Sequence, residues 1–251
     1  MVSSLLLIAM YLIAVFLILI ILVALIMITI RNSEISAVRK ENGDIAGLLS
    51  QLNVKSAIVV IAHPDDETLG AFSLMASMVS QGIRVQVVLA SDGNRRGLGN
   101  LRIEEFLSAM AKLEISYDNL FFLGYSDGKL FDSAERIEAD LLKIMTERDP
   151  DLIVSHYIGD QHPDHHCVAT IMQSIGLDRD NLVLSFPIYA DMFKRLTKDD
   201  GWYHCDSQAK RPKRFALTSY LSQMMNPILS PLFLRAWYCS EIFHMTKNTT
   251  T

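Results

Sequence analysis

The chain has 251 residues, half of them apolar, and a formal net charge of −5. This length provides enough apolar material for one large core. A nucleic-acid partner is not expected, because phosphate affinity is built from clustered lysines and arginines, and basic runs here are no longer than two residues, as at Arg95-Arg96.

The N-terminal region is an almost unbroken apolar run from Leu5 to Ile30. About 20 such residues cross a bilayer, so the run predicts a transmembrane helix. A secretory signal peptide would instead begin with basic residues and carry a shorter apolar core. We assign residues 1–31 to a transmembrane anchor, residues 32–54 to a linker or short helix that lifts the domain off the membrane, and residues 55–251 to one domain.

Positive charge follows the apolar run, at Arg31, Arg39 and Lys40. Lysine and arginine accumulate in the cytoplasmic segments that flank a membrane helix, and nearby acidic residues count little in this rule. The bias therefore predicts a single-pass membrane protein whose domain faces the cytoplasm.

Short apolar strands alternate with helical patterns along the domain. The predicted strands cover residues 57–62, 84–90, 120–125, 152–157 and 182–189. The predicted helices cover residues 68–79, 101–115 and 134–148, with a further helix ending at residue 175. Repeated strand-helix-strand units with right-handed crossovers predict an α/β fold: a Rossmann-like, mostly parallel sheet with helices on both faces, preceded by one N-terminal transmembrane helix.

The pattern degrades beyond Asp191. Residues 218–245 are apolar, but Pro227 and Pro231 interrupt them, so this stretch is too kinked for a second membrane span. It either packs against the domain or rests in the membrane interface, and the sequence leaves both alternatives open.

Two loops at strand ends carry the residues suited to chemistry. The first strand runs into His63-Pro64-Asp65-Asp66-Glu67, and the fourth is followed by His162-Pro163-Asp164-His165. In a doubly wound sheet the strand order commonly reverses beside the first strand, so these strands become neighbours and their loops meet where ligands bind. Two histidines and a carboxylate with one open position are the ligand set of a catalytic zinc site. The sequence therefore predicts a metal site between the loops.

These two motifs resemble the LmbE-like (PIG-L) family of zinc-dependent de-N-acetylases. The resemblance runs from about residue 57 to residue 187 and includes the segments 101–105 and 123–128. It implies a hydrolase that uses Zn²⁺, or Fe²⁺ in its place, to remove the acetyl group from an N-acetylglucosamine-type amino sugar.

The resemblance also implies a metal-ligand set and a general base. His63, Asp66 and His165 would bind the metal ion. Asp65 would take the proton of the attacking water. The adjacent carboxylates would then do different work, which a tight turn permits by letting consecutive side chains diverge.

Four further residues match family positions around the substrate. His162 would polarise the amide carbonyl or protonate the leaving amine, and Asp164 would orient it. Arg102 and Asp127 would contact the substrate, through sugar hydroxyls or a linked phosphate.

Several other polar residues are expected to have structural roles. Glu67 lies in a first helical turn, where a carboxylate meets the helix dipole favourably, and we expect this role at least as much as catalysis. His156 is predicted to be a core residue of the fourth strand. His166 is expected at the surface, although it competes with His165 as a ligand, and His204 is expected in a solvated loop.

Together these features predict a membrane-anchored deacetylase with an N-acetylated amino-sugar substrate. The anchor favours a lipid-linked substrate such as N-acetylglucosaminyl-phosphatidylinositol. Two alternatives stay open: another metal-dependent amidase or phosphoesterase on the same scaffold, and a non-catalytic, membrane-tethered glycan-binding protein. Asp65 argues against the second, because a binding module needs no general base.

Overall fold

The computed structural model describes residues 2–42, 44–189, 201–205, 210–226, 230–238 and 241–246. Its strands are β1 (Ser56–Ile61), β2 (Arg84–Ser91), β3 (Leu120–Tyr125), β4 (Leu152–His156), β5 (Leu182–Phe186), β6 (Trp202–Cys205) and β7 (Glu241–Thr246). Its α-helices are α1 (Val2–Asn42), α2 (Ile45–Gln51), α3 (Asp66–Gly70), α4 (Phe72–Ser80), α5 (Gly99–Ala111), α6 (Ala134–Arg148), α7 (Pro163–Asp178), α8 (Lys210–Leu217), α9 (Leu221–Met224) and α10 (Ser230–Tyr238).

The strands form one sheet in the order β3-β2-β1-β4-β5-β7-β6. The first five strands are parallel, which confirms the predicted mostly parallel α/β architecture. The sequence analysis missed β6 and β7, which add an antiparallel edge. The expectation of a solvated loop at His204 is wrong, because this residue is buried in β6.

The neighbouring positions of β1 and β4 set the location of the site. Ala57 pairs with Leu152 and Val59 with Val154, in parallel register. All six residues of β1 are buried, as expected for a continuous apolar strand covered on both faces. The loops that follow β1 and β4 therefore leave the same edge of the sheet, as the sequence predicted.

The core lies in two layers, one on each face of the sheet. Val59 and Ile61 belong to the layer that contains Phe72 of α4, whereas Ile58 and Val60 belong to the opposite layer with α6 and α7. This division follows from the alternation of side chains along a strand. Helices cover both faces, so the loops are held between two packed layers.

The helix predicted for residues 68–79 is divided into α3 and α4 at Ala71, whose φ of −134° is not helical. Gly70 lies so close to the Phe186 ring that no Cβ would fit there. The close approach fixes α3 against the end of β5. The contact between Gly70 and Phe186 thereby restrains the position of α3, which begins at Asp66.

The N-terminal helix α1 is longer than the predicted anchor, because it continues to Asn42. Residues 6–33 within it are long and apolar enough to cross a membrane, by length and composition alone. The stretch 32–54 is largely helical, and Ile45 and Leu49 of α2 are fully buried in the main core. The α2 part of this stretch therefore packs against the domain.

Candidate active site

The site begins in a strained turn between β1 and α3. Asp65 has φ +117° and ψ −24°, a left-handed conformation that L-residues rarely adopt. The Arg102 guanidinium donates to the Pro64 carbonyl oxygen across 2.9 Å, and the His63 backbone N–H donates to Asp66 Oδ2 across 2.7 Å. These bonds hold a turn that directs the Asp65 and Asp66 side chains to different partners.

The residues predicted as metal ligands meet at one point. His63 Nδ1 lies 3.2 Å from His165 Nε2 and 3.4 Å from Asp66 Oδ2, and His165 Nε2 lies 3.3 Å from Asp66 Oδ1. A tetrahedral ion with ligand bonds of about 2.0–2.1 Å holds its ligand atoms about 3.3–3.4 Å apart. Two imidazole nitrogens and a carboxylate are a donor set suited to a divalent cation, and here the two histidines face different oxygens of the Asp66 carboxylate.

A carboxylate supports the remote nitrogen of His63. Asp164 Oδ2 lies 3.0 Å from His63 Nε2, and backbone N–H groups of Gly128 and Leu130 donate to the Asp164 carboxylate across 2.7 and 3.1 Å. We had expected Asp164 to orient His162. Its carboxylate contacts His63 instead, and only its backbone N–H donates to His162 Nδ1, across 3.2 Å.

A second carboxylate, missed in the sequence, lies behind His165. Asp160 Oδ1 is 3.3 Å from His165 Nδ1. Asp160 is itself held by backbone N–H groups of Ile188 and Tyr189, which donate to its Oδ2 across 2.8 and 2.9 Å. Histidine ligands of metals usually have their other nitrogen directed at such a group, which fixes the ring orientation. The sequence offered little indication of this role for Asp160, because the residue lies outside the motif His162-Pro163-Asp164-His165.

His156 is buried in β4, as expected of a core residue, and it also contacts the site. Its ring is fully buried and stacks on that of His165, with 4.0 Å between the ring centroids. Its Nε2 accepts from the Ala62 backbone N–H across 3.1 Å and lies 3.3 Å from Asp66 Oδ2. His156 therefore braces both a histidine and a carboxylate of the site. Strand alternation could not reveal this, because every residue of β4 is buried.

The electrostatics of the centre favour positive charge. Burial by itself would lower the pKa of both histidines, but contacts with Asp164 and Asp66 raise the pKa of His63 to about 10. At His165, burial also lowers the pKa, but the contacts with Asp66 and Asp160 outweigh this effect and raise the pKa of His165 to about 9. Carboxylates that stabilise imidazolium in this way would also stabilise a bound cation.

The residues predicted as general base and substrate contacts lie beside the cluster. Burial raises the pKa of Asp65 to about 8, and the Arg102 guanidinium, 3.5 Å from its Oδ2, opposes the shift. Arg102 also donates to Asp127 Oδ2 across 2.9 Å and to the Gly93 carbonyl oxygen across 3.1 Å. Arg102 and Asp127 thus form one hydrogen-bonded pair next to Asp65.

His162 stands at the edge of the cluster, half-buried, with its ring centroid 4.8 Å from that of His63. Burial and the neighbouring charges of His165 and His63 lower the pKa of His162 to about 4. Its Nδ1 accepts the Asp164 N–H, so the proton of the neutral ring is on Nε2. His162 is therefore suited to donate a hydrogen bond.

An open cavity of about 390 Å³ gives access to these groups. This size suits a small organic ligand such as a sugar. Its inner wall carries the cluster, and its mouth is formed by the loop after β2 and by the C-terminal segment, whose role the sequence had left open. The cavity is lined by His63, Asp65, Asp66, Gly93, Arg95, Arg96, Leu98, Arg102, Asp127, His162, His165, Tyr189, Ser222, Gln223, Met225 and Asn226.

Other residues singled out in the sequence lie away from the cavity. His166 is exposed and its Nδ1 bonds to the Ile158 carbonyl oxygen, so it does not compete with His165. Glu67 is fully buried and accepts from the hydroxyls of Thr68 and Tyr220, each across 2.5 Å. Glu67 therefore anchors α3 to the C-terminal segment, a role that its position in a first helical turn did not reveal.

Comparisons with known proteins cover both loops of the site. Residues 58–175 match the family described as PIG-L, GlcNAc-PI de-N-acetylase. The chain is 26% identical over 132 residues to the probable N-acetylglucosaminyl-phosphatidylinositol de-N-acetylase of Dictyostelium discoideum, across 50% of this chain and 51% of that protein. It is 32% identical over 133 residues to the probable N-acetyl-alpha-D-glucosaminyl L-malate deacetylase 2 of Bacillus subtilis, across 47% of this chain and 59% of that protein.

The chain thus spans about half the length of the curated relatives it matches. The fold is similar to that of N,N'-diacetylchitobiose deacetylase from Pyrococcus horikoshii, with a TM-score of 0.64 at 19% identity, across 84% of this chain and 90% of that one. The resemblance stated from the two motifs is confirmed, and the segment 58–175 of this chain belongs to the PIG-L (LmbE-like) family.

Proposed function

We propose that the protein is a metal-dependent hydrolase that removes the acetyl group from an N-acetylglucosamine-type amino sugar. The observation that carries this proposal is the convergence of His63 Nδ1, His165 Nε2 and the Asp66 carboxylate, with contacts of 3.2–3.4 Å, at the wall of an open cavity. The family match and the deacetylase names of the relatives support this reaction class.

His63, Asp66 and His165 would hold the metal ion. Two histidines and one carboxylate suit Zn²⁺, and the same set also suits Fe²⁺. When bound, such an ion supplies a Lewis acid that lowers the pKa of water and polarises a carbonyl group. The carboxylates of Asp164 and Asp160 would keep the two imidazole rings oriented toward it.

Asp65 is proposed as the general base. It takes a proton from the attacking water as the new carbon–oxygen bond forms, and it returns a proton to the amine nitrogen as the carbon–nitrogen bond breaks. Acetate and the free amino sugar are the products. A base works best when its pKa lies near the working pH, and burial moves the pKa of Asp65 in that direction.

His162 is proposed to stabilise the carbonyl oxygen as negative charge develops on it. Its neutral ring carries the proton on Nε2, which can donate to that oxygen. This arrangement supports carbonyl polarisation, one of the two roles implied by the resemblance, over protonation of the leaving amine.

Arg102 and Asp127 are proposed to bind the sugar. They already pair with each other across 2.9 Å at the cavity wall, so both side chains are fixed in place before a substrate enters. Fixed polar groups of this kind orient a ligand with little loss of side-chain entropy.

We further propose a lipid-linked substrate and a single membrane span with the domain in the cytoplasm. The apolar helix at residues 6–33 supports the span, and Arg31, Arg39 and Lys40 support the orientation. An enzyme held beside a bilayer by such an anchor is suited to a glycolipid substrate.

The test is acetate release by purified full-length protein from N-acetylglucosamine conjugates, both lipid-linked and soluble. We expect release that is lost in a chelator, restored by Zn²⁺, and reduced roughly 10²-fold or more in Asp65→Asn. Undiminished release with the chelator and with the variant would contradict the metal mechanism. Binding of metal and glycan without any acetate release would instead favour a glycan-binding protein.

A further inference from the structure

Exposed apolar side chains border the mouth of the cavity. We call Leu98, Leu221 and Met225 the apolar rim; they are 39%, 61% and 83% exposed. Leu98 and Met225 line the cavity itself. Met225 directly follows α9, and its N–H donates to the Leu221 carbonyl oxygen across 3.1 Å, so the two residues are one helical turn apart and lie on the same side of that turn.

The N-terminal helix indicates where a bilayer would lie. Side chains from Leu6 to Val23 are exposed, except for the half-buried Ile20. As a helix this stretch is about 27 Å long, close to the roughly 30 Å thickness of a bilayer hydrocarbon core. From Ala24 onward, α1 buries one face against the domain, although its apolar run continues to Ile30.

The helix α10 packs at this boundary. Met27 of α1 shares a buried cluster with Leu232, Phe233 and Ala236 of α10. Met27 precedes Arg31, the first charged residue after the apolar run. With residues 6–23 in the hydrocarbon core, this packing would place the domain at the level where α1 leaves the membrane and α10 at the bilayer surface.

The apolar rim is close to α10 along the chain. Met225 is followed by Asn226, whose carbonyl oxygen accepts from the Ser230 N–H across 2.8 Å at the start of α10. Five residues span at most about 17 Å even when extended. The rim therefore lies within a short distance of the helix that stands at the membrane.

We propose that the apolar rim rests in the headgroup region of the bilayer, so that the cavity opens directly onto the lipid surface. This inference rests on the proposed membrane anchoring. Arg95 and Arg96 are exposed at the same mouth and add the positive charge that attracts anionic headgroups. Apolar side chains flanked by cationic ones are typical of surfaces that lie in a membrane interface.

Consequently, a lipid-linked amino sugar would pass from the bilayer into the cavity without crossing bulk water. The rim would contact its acyl region while the sugar reaches the inner wall. The exposed apolar side chains would thereby be covered by lipid, not by a second protein.

The direct test measures how deeply the apolar rim is immersed in the bilayer. Full-length protein carrying Cys239→Ser and Met225→Cys is labelled with a nitroxide and reconstituted in vesicles of equal parts phosphatidylcholine and phosphatidylserine. Cys167 and Cys205 are buried and free. We expect the label at residue 225 to be more accessible to oxygen, which partitions into lipid, than to a water-soluble nickel complex.

A matched label at the exposed Lys143 of α6 serves as the control. The α6 layer packs on one face of the sheet, whereas α4, Met27 of α1 and α10 belong to the layer on the other face. Lys143 should therefore face water, and a label at Lys143→Cys should be accessible mainly to the nickel complex. Equal accessibility to the nickel complex at both sites would overturn the proposal. Protection of residue 225 from both reagents would also overturn it, since a protein surface would then cover the rim.

An activity measurement separates this inference from the proposed function. Leu221 does not line the cavity, so Leu221→Asp should leave turnover of a soluble conjugate unchanged while slowing that of a vesicle-bound one by roughly fivefold. Leu221→Met is the conservative control and should retain both rates. Equal loss on both substrates would contradict the inference. If the parent protein releases no acetate at all, the proposed function fails, and the accessibility measurement still decides the position of the rim.

Discussion

Nε2 of His63 donates a hydrogen bond to the carboxylate of Asp164 across 3.0 Å. The hydrogen bonds from His63, Leu130 and Gly128 outweigh burial and lower the pKa of Asp164, so its carboxylate is the acceptor. The neutral ring that a metal ion requires would keep its proton on Nε2, and its Nδ1 lone pair would then face Asp66 and His165. The contact therefore fixes the tautomer in which His63 can bind a metal ion.

Replacing Asp164 with asparagine should weaken metal binding roughly 10-fold to 100-fold. The amide is a weaker partner for the His63 ring and also loses the negative charge that supports a bound cation. Zinc affinity of the purified protein, measured by competition with a chelator, checks this. The exposed Asp178 lies at the end of the same helix, and Asp178→Asn should bind zinc like the parent protein. Equal affinities for all three proteins would contradict the assignment.

Replacing Arg102 with glutamine should move the acid limb of the pH–activity profile upward, by about one pH unit. The Arg102 charge lowers the pKa of Asp65 against the effect of burial, so its removal raises that pKa further. Asp65 accepts a proton only when it is ionised, and activity at low pH is therefore lost first. The profile of kcat/KM is the measurement, because it separates a shifted limb from weaker sugar binding. The exposed Arg136→Gln should leave the limb in place.

Tyr220→Phe should lower the free energy of unfolding by about 1–3 kcal/mol. The Tyr220 hydroxyl donates to the buried Glu67 carboxylate across 2.5 Å, and the substitution removes that donor. Burial raises the pKa of Glu67 to about 7, and loss of the donor raises it further, so the destabilisation should increase as the pH rises above that value.

Denaturant unfolding in detergent micelles at low and high pH checks the Tyr220 prediction. Tyr117→Phe is the matched control, because Tyr117 is 67% exposed. A pH-independent effect would show that the hydroxyl does not act through Glu67.

Lys213→Met should cost roughly 3–5 kcal/mol of unfolding free energy, because it leaves a buried carboxylate without its cation. Lys213 Nζ donates to Glu241 Oε1 across 2.7 Å and to the Leu69 carbonyl oxygen across 3.2 Å, and both charged side chains are buried. Thermal unfolding is the measurement. Lys143→Met at an exposed position of α6 should change stability little, and a similarly small effect for Lys213→Met would contradict the prediction.

The parallel sheet was predictable because its strands carry continuous apolar runs separated by helical patterns. Residues 120–125 and 134–148 were assigned within the bounds that the structure shows. The pairing of β1 with β4 followed from a general property of doubly wound sheets, and it brought His63 and His165 together correctly.

The sequence could not show which atoms face each other within the site. The partner of the Asp164 carboxylate is His63 and not the nearer-numbered His162, because a helix start turns the carboxylate inward. The role of His156 was hidden in a uniformly buried strand. The edge strands β6 and β7 were missed because their pairing joins distant, short segments without a helical or alternating pattern of their own.

The left-handed backbone conformation of Asp65 lowers the stability of the fold, while the Asp65 side chain is proposed to be needed for catalysis. A non-glycine residue in such a conformation costs on the order of 1–3 kcal/mol, and glycine would adopt the same φ of +117° freely. A laboratory selection for heat resistance alone should therefore enrich glycine at residue 65, while a selection that also demands turnover should retain aspartate.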